Sequence, residues 1–170
     1  MPTMLRLSLL LALVVSACDS GTADSQRLFE DRALLSSIEG ITRIDADGVV
    51  SERDPEDWQI GPLYRARYEF AFLPSPNPVS RSQESLSFSL AAQGSTAGTL
   101  QVAVLQENRA GALDLVNVEG GRCQVTASAP VCSLSLFPSQ IDLANAGGLY
   151  RLVILDGGGI VSYGDVQIDP

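Results

Sequence analysis

The sequence predicts a mainly β chain, an antiparallel β-sandwich with one short helix ahead of it, and three observations carry that prediction. From residue 41 to residue 168, apolar residues recur with period two in short runs. Those runs are bounded by Gly, Pro, Asn or Ser, the residues that end strands and make turns. Only one stretch, near the start, has the three-to-four residue spacing of a helix. Many short strands with so little helix argue for two packed antiparallel sheets, although pattern alone also admits a closed barrel.

The chain opens with Met1 to Arg6, continues as the apolar run LSLLLALVV over residues 7–15, and reaches Ser16-Ala17-Cys18. A positive start, a short apolar stretch and small residues before a cut site are the parts of an export signal. The run is too short to span a bilayer, which takes about 20 apolar residues. Val15-Ser16-Ala17-Cys18 resembles the lipobox of bacterial lipoproteins. The resemblance implies cleavage after residue 17, acyl chains on Cys18, and a place in the bacterial cell envelope facing the periplasm or the cell surface. Asp19 and Asp24 resemble sorting signals of opposite sense in different bacteria, so they leave the leaflet open.

Residues 18–26 are small and polar, the composition of a flexible tether. Leu28, Phe29, Leu34, Leu35, Ile38 and Ile41 then fit a helix over roughly 26–39, with Ser25 to cap its start and Gly40 its end. Ile41–Asp45 and Val49–Arg53 flank Asp47-Gly48, a hairpin turn signal. Helix and hairpin together make 27–62 a unit packed on a sandwich of residues 63–170. Residues 63–73 (LYRARYEFAFL) alternate and predict a strand with Tyr64, Ala66, Tyr68, Phe70 and Phe72 on one face. Three prolines between Pro74 and Pro78 forbid a central strand there. Further strands are expected at 84–92, 99–106, 113–118, 123–128, 131–137, 149–156 and 160–168.

Pro76-Asn77-Pro78, the later Gly148-Leu149-Tyr150 and a last strand ending at Ile168 resemble the C-terminal sorting domains of type IX secretion substrates, which are small Ig-like sandwiches. The resemblance implies an Ig-like fold. The chain departs from it in starting with a lipobox, in ending on Asp169-Pro170, and in carrying a cysteine hairpin.

The chain holds 11 Lys+Arg, all of them Arg, against 20 Asp+Glu, and has no His. Without His there is no Ser/His/Asp or Cys/His nucleophile pair and no histidine zinc site. Without Lys there is no P-loop, Schiff base or Ser-Lys mechanism. Few and scattered cations cannot neutralise a row of phosphates, so a nucleic-acid partner is not expected. No enzyme activity, cofactor or metal is expected. Partners are a membrane, through the N-terminal lipid, and an envelope or extracellular protein or glycan.

Cys123 and Cys132 stand nine apart across Ala129-Pro130, and in an exported chain they read as a disulfide closing a hairpin. Asp45-Ala46-Asp47-Gly48 resembles the middle of a calcium loop, but the frame puts Arg43 where its first acid belongs. Glu52, Asp54, Glu56 and Asp57 cluster before Trp58. Paired acids can serve glycoside hydrolysis and a Trp can stack on a sugar, so these five residues form a candidate ligand surface for a carbohydrate- or calcium-dependent module, with Tyr64 and Tyr68 nearby.

Overall fold

The computed structural model describes residues 21–38, 40–82, 85–94, 96–142 and 146–170. The expected leader over 1–17 and Cys18, the expected lipidation residue, lie outside the described residues. Residues 21–33 form a helix, α1, that includes most of the expected tether and stops short of the expected end at 39. Ser25 does not cap it: its hydroxyl donates back to the Gly21 carbonyl within the helix (2.8 Å). The side of α1 that packs on the protein is Gln26, Phe29, Glu30 and Ala33, while Leu28 is 64% exposed. Gln26 fixes the docking, donating to the Ile160 carbonyl (2.8 Å) and accepting from the Leu63 amide (3.1 Å).

The expected hairpin forms from β1 (Arg43–Ile44) and β2 (Val50–Glu52), which pair antiparallel. Asp45 accepts the Asp47 and Val49 amides, and Gly48 takes φ +82°, so the turn chemistry of the sequence is the turn that forms. β3 (Gln59–Ile60) follows. Residues 61–67 are not strand, contrary to the alternation of LYRAR. Gly61-Pro62 starts a coil of turns in which the Arg67 and Tyr68 amides both donate to the Tyr64 carbonyl (2.8 and 2.9 Å). A four-residue spacing satisfies helical and strand periods alike, and here the turn takes it. Tyr64 and Tyr68 come to lie with ring centroids 6.3 Å apart under the Arg67 guanidinium.

The remaining strands are β4 (Tyr68–Ser75), β5 (Val79–Ser80), β6 (Leu86–Ala92), β7 (Gly98–Glu107), β8 (Leu113–Val125), β9 (Val131–Leu136), β10 (Gly148–Asp156) and β11 (Gly159–Asp169), with a single helical turn, α2 (Pro138–Ile141), after β9. The runs expected at 113–118 and 123–128 are one strand, β8. A bulge joins its halves: Gln101 pairs with Arg122 and Ala103 with Asn117, so residues 118–121 face a single residue of β7, with Gly120 at φ +71°.

Among the described residues the strands form three sheets: the β1–β2 hairpin, a three-stranded sheet β4-β6-β9, and a six-stranded sheet in which β3-β11-β10-β7-β8 run in order and β5 adds to β11 in parallel. The other pairings are antiparallel and no barrel closes. β3 pairs with β11 at one side of the larger sheet. Phe88, Leu90 and Leu136 of the smaller sheet and Leu100, Val102, Leu152 and Ile154 of the larger one belong to one buried cluster, so the two sheets share a core. On the other face of the larger sheet, α1 covers Val153, Ile160 and Tyr163 with Phe29 and Ala33.

Cys123 and Cys132 are disulfide-bonded, with Cα atoms 5.9 Å apart. The arms of this loop belong to different sheets, β8 to the larger and β9 to the smaller, so the bridge ties sheet to sheet instead of closing a two-stranded ladder. Reducing it, or replacing both cysteines by Ala, is expected to lower unfolding stability by about 2.5–3 kcal/mol through loop entropy. Urea melts with and without reductant measure this, and an unchanged midpoint contradicts it.

Candidate functional site at the end of the N-terminal helix

Where α1 ends, the chain must turn across the outer face of the larger sheet, and the carbonyls of its end and of the residues that follow need donors. Arg151, in the middle of β10, supplies them. Its Nη1 donates to the carbonyls of Arg32 (3.1 Å) and Leu35 (2.9 Å), and its Nη2 to that of Ser37 (3.3 Å). Nε and Nη2 grip the Asp165 carboxylate of β11 at 2.8 and 2.7 Å. All five guanidinium N–H groups are thereby used, and the guanidinium lies 5.3 Å from the centroid of the Tyr163 ring. Arg151 and Asp165 face each other directly in the β10–β11 register, and both are buried.

A second buried carboxyl stands beside this pair. Asp57 accepts the Thr42 amide (2.7 Å) on one oxygen and the Asp165 amide (2.9 Å) on the other. Asn77, fully buried, donates to the Thr42 carbonyl (2.8 Å) and the Asp165 carbonyl (2.9 Å), and accepts the Gln167 amide (3.0 Å). Residues 42 and 165 thus have each N–H met by Asp57 and each C=O by Asn77. The two side chains together stand in for a ladder rung between backbones that do not pair.

Burial pushes the Asp57 carboxyl up to about 6, helped by the negative charges of Asp165 and Asp54 and opposed by its two amide donors. Burial raises Asp165 as well, against the Arg151 guanidinium that holds it charged. These groups line a cleft of about 210 Å³ together with Arg32, Asp54 and Glu56. Perturbed carboxyls in a cleft are the usual mark of acid–base chemistry. Here both Asp57 oxygens and every Arg151 donor are engaged by the fold itself, so the arrangement does structural work.

The five residues proposed as a ligand surface are separated. Asp54, Glu56 and Asp57 reach the cleft, Asp54 accepting the Glu56 amide (2.8 Å) and Glu56 lying 3.7 Å from Arg32 in an exposed ion pair. Glu52 pairs with Arg43 (3.2 Å) and lines a different groove, with Leu149 and Gln167. Trp58 is 3% exposed, packed on Gly164 and edge-on to Phe70 at 6.2 Å, and presents no open face for stacking. Its φ of +57° shows how tightly the loop is bent to bury it. Among the described residues, no group of three or more Cys, Asp or Glu is placed to hold a metal ion.

Arg151, Asp165 and Asn77 are absent from the sequence-derived candidates. Their signal was a charge or amide inside an otherwise apolar or proline-rich segment. For the charged pair there was a second signal: Arg151 and Asp165 stand equally far from the Gly157-Gly158-Gly159 turn.

No protein-family model matches the chain, and no curated protein matches it. A solved structure of the Pseudomonas fluorescens alkylpurine DNA glycosylase, bound to DNA containing an abasic site analog, aligns at a TM-score of 0.38 with 14% identity, over 62% of this chain and 31% of that one. An uncharacterized protein from Bacillus anthracis str. Ames aligns at 0.36, also with 14% identity, over 70% of this chain and 99% of that one. Likenesses at this level carry no argument about fold or activity.

Removing one partner of the buried pair strands the other charge. Arg151→Met is therefore expected to cost about 3–5 kcal/mol, and the double change Arg151→Met with Asp165→Leu to recover part of it. Equal losses in the single and double variants, read from denaturant melts, contradict this. Asp57 sets a pH dependence. The folded state binds its proton more tightly than the unfolded chain, so its contribution is complete below the ordinary carboxylate range and is lost as pH rises through about 6. The stability of the protein relative to Asp57→Asn should fall by about 2–3 kcal/mol between pH 4 and 7, and a difference that is flat with pH contradicts the shift.

Proposed function

We propose that this chain is a non-catalytic binding or structural module of a bacterial cell envelope, an Ig-like sandwich held at a membrane by acyl chains on Cys18. The observation that carries the non-catalytic half is the engagement of the cleft: its perturbed carboxyls and its guanidinium are spent on backbone groups and on each other. The absence of His and Lys from the chain supports the same reading, because it removes the usual general bases and amine nucleophiles. The anchoring half rests on the leader and the Val15-Ser16-Ala17-Cys18 box. Among the described residues no helix is long and apolar enough to cross a membrane, and two or three acyl chains would hold the domain stably without one. The Ig-like assignment rests on two sheets, antiparallel except where β5 joins β11, that share a core and are joined by a disulfide.

The partner follows from neither half and is a protein or glycan of the envelope or its surroundings. Mass spectrometry of the N-terminal peptide from the membrane fraction is expected to find Cys18 as first residue, carrying a diacylglyceryl thioether. Cys18→Ser should move the protein to the soluble fraction. An unmodified Cys18, or a variant that stays with the membrane, overturns the anchoring.

A further inference from the structure

The two broad outer faces of the molecule differ in chemistry. The outer face of the smaller sheet presents Ser87 and Ser89 of β6 and Ser133 and Ser135 of β9, with the hydroxyls of Ser87 and Ser135 hydrogen-bonded at 2.8 Å. The outer face of the larger sheet is only half covered. α1 lies over β10, β11 and the residues around Ile160, while the half formed by β7 and β8 is open. In the register of that half Leu105 pairs with Leu115 and Glu107 with Leu113, which puts the three leucines on the outer side. Leu149 of β10 joins them, and the chain leaving α1 walls the groove with Leu35 and Ile38. Leu35 is 54% exposed, Leu149 48%, Leu113 38% and Leu115 36%. Leu28, on the opposite side of α1 from its buried residues, adds to the same side of the molecule.

What covers this face follows from chain length. With the helix already formed at residue 21, only Asp19 and Ser20 stand between a lipidated Cys18 and the folded domain. In any conformation the three steps from residue 18 to residue 21 reach no more than about 11 Å. A domain on so short a leash cannot stand clear of the headgroups and must turn one side toward them. α1 is about 20 Å long at its 13 residues and lies on the outer side of the larger sheet, so the leash attaches on the apolar side and not on the serine side.

We propose that the outer side of the larger sheet, from Leu28 across the groove at Leu35, Leu105, Leu113 and Leu149, rests on the phospholipid bilayer that holds the Cys18 acyl chains. The inference depends on the reading of Cys18 as the lipidated residue. The contact rests on the leucines and not on charge attraction: Glu107 and Arg151 also line the groove, and the mature form, with 10 Arg against 20 acids, is repelled by anionic lipid, so zwitterionic lipid suits it best.

The test is hydrogen exchange on the full lipidated protein in phosphatidylcholine vesicles, compared with the Cys18→Ser chain in solution, after the acyl mass on Cys18 has been measured. Severalfold slower exchange on vesicles at 113–117 and 148–149, with no change at 87–89 and 133–135, is expected. The lipidated double variant Leu113→Asp and Leu149→Asp should keep its acyl mass and thermal midpoint but lose that protection. An acylated protein with no protection at these residues overturns the docking face and leaves the anchor standing, whereas an absent acyl mass overturns the anchor and the docking with it. Protection in the unlipidated chain that grows with protein concentration, without vesicles, overturns the proposal in favour of a second copy on the same face.

Discussion

Asp165 is the point on which the outer side of the molecule turns. Its carboxylate neutralises Arg151, its amide is taken by Asp57 and its carbonyl by Asn77. A charge buried that deeply must be compensated, and a backbone group buried without a partner costs free energy comparable to a lost hydrogen bond. The molecule meets both demands with three side chains from three different segments. Each of those side chains then positions something else: Arg151 the chain leaving α1, Asp57 the residue before β1, and Asn77 the crossing from β4 to β5. The fold gains specificity from this junction because, of the parts it positions, β1 belongs to a separate hairpin and β5 pairs with the larger sheet over only two residues.

Elements dictated by local chemistry were plain in the residues. The Asp45 to Gly48 turn needs a carboxylate to gather amides and a glycine with positive φ, and both are written there. The period-two runs expected at 84–92, 99–106 and 149–156 coincide with β6, β7 and β10, because a strand's side chains alternate between the faces of its sheet. What misled were coincidences of period. Tyr64 and Tyr68 fit a strand and a helical turn equally, and Gly61-Pro62 decided for the turn. Leu28, Leu34 and Leu35 fit an amphipathic stripe, yet the packed side of α1 is Gln26, Phe29 and Ala33, because the sheet beneath already holds bulky Tyr163 and Ile160 and asks for a small residue and a hydrogen-bonding one.

The candidate site was less legible than the fold for a related reason. A run of acids before a tryptophan is conspicuous, but its members end in different places once the backbone bends at Trp58. The junction at Asp165, by contrast, is assembled from residues up to 108 positions apart. Only the symmetric placement of Arg151 and Asp165 about a glycine turn could have been read without the sheet register, and even that needed the hairpin to be assumed first. Asn77 carried no such hint, since its two carbonyl partners, Thr42 and Asp165, lie 35 and 88 positions away.

The bulge in β8 bears on how such molecules behave when crowded. β8 is the outermost strand of the larger sheet and 13 residues long, a length that would ordinarily offer a template for strand addition. Residues 118–121 break that template in the middle, and Gln140 of α2 occupies the Glu119 carbonyl at 2.8 Å. What remains on either side are the shorter runs 113–117 and 122–125. A long continuous edge would invite sheet-to-sheet polymerisation, and the interruption at 118–121 shortens what β8 offers while leaving its leucine face intact.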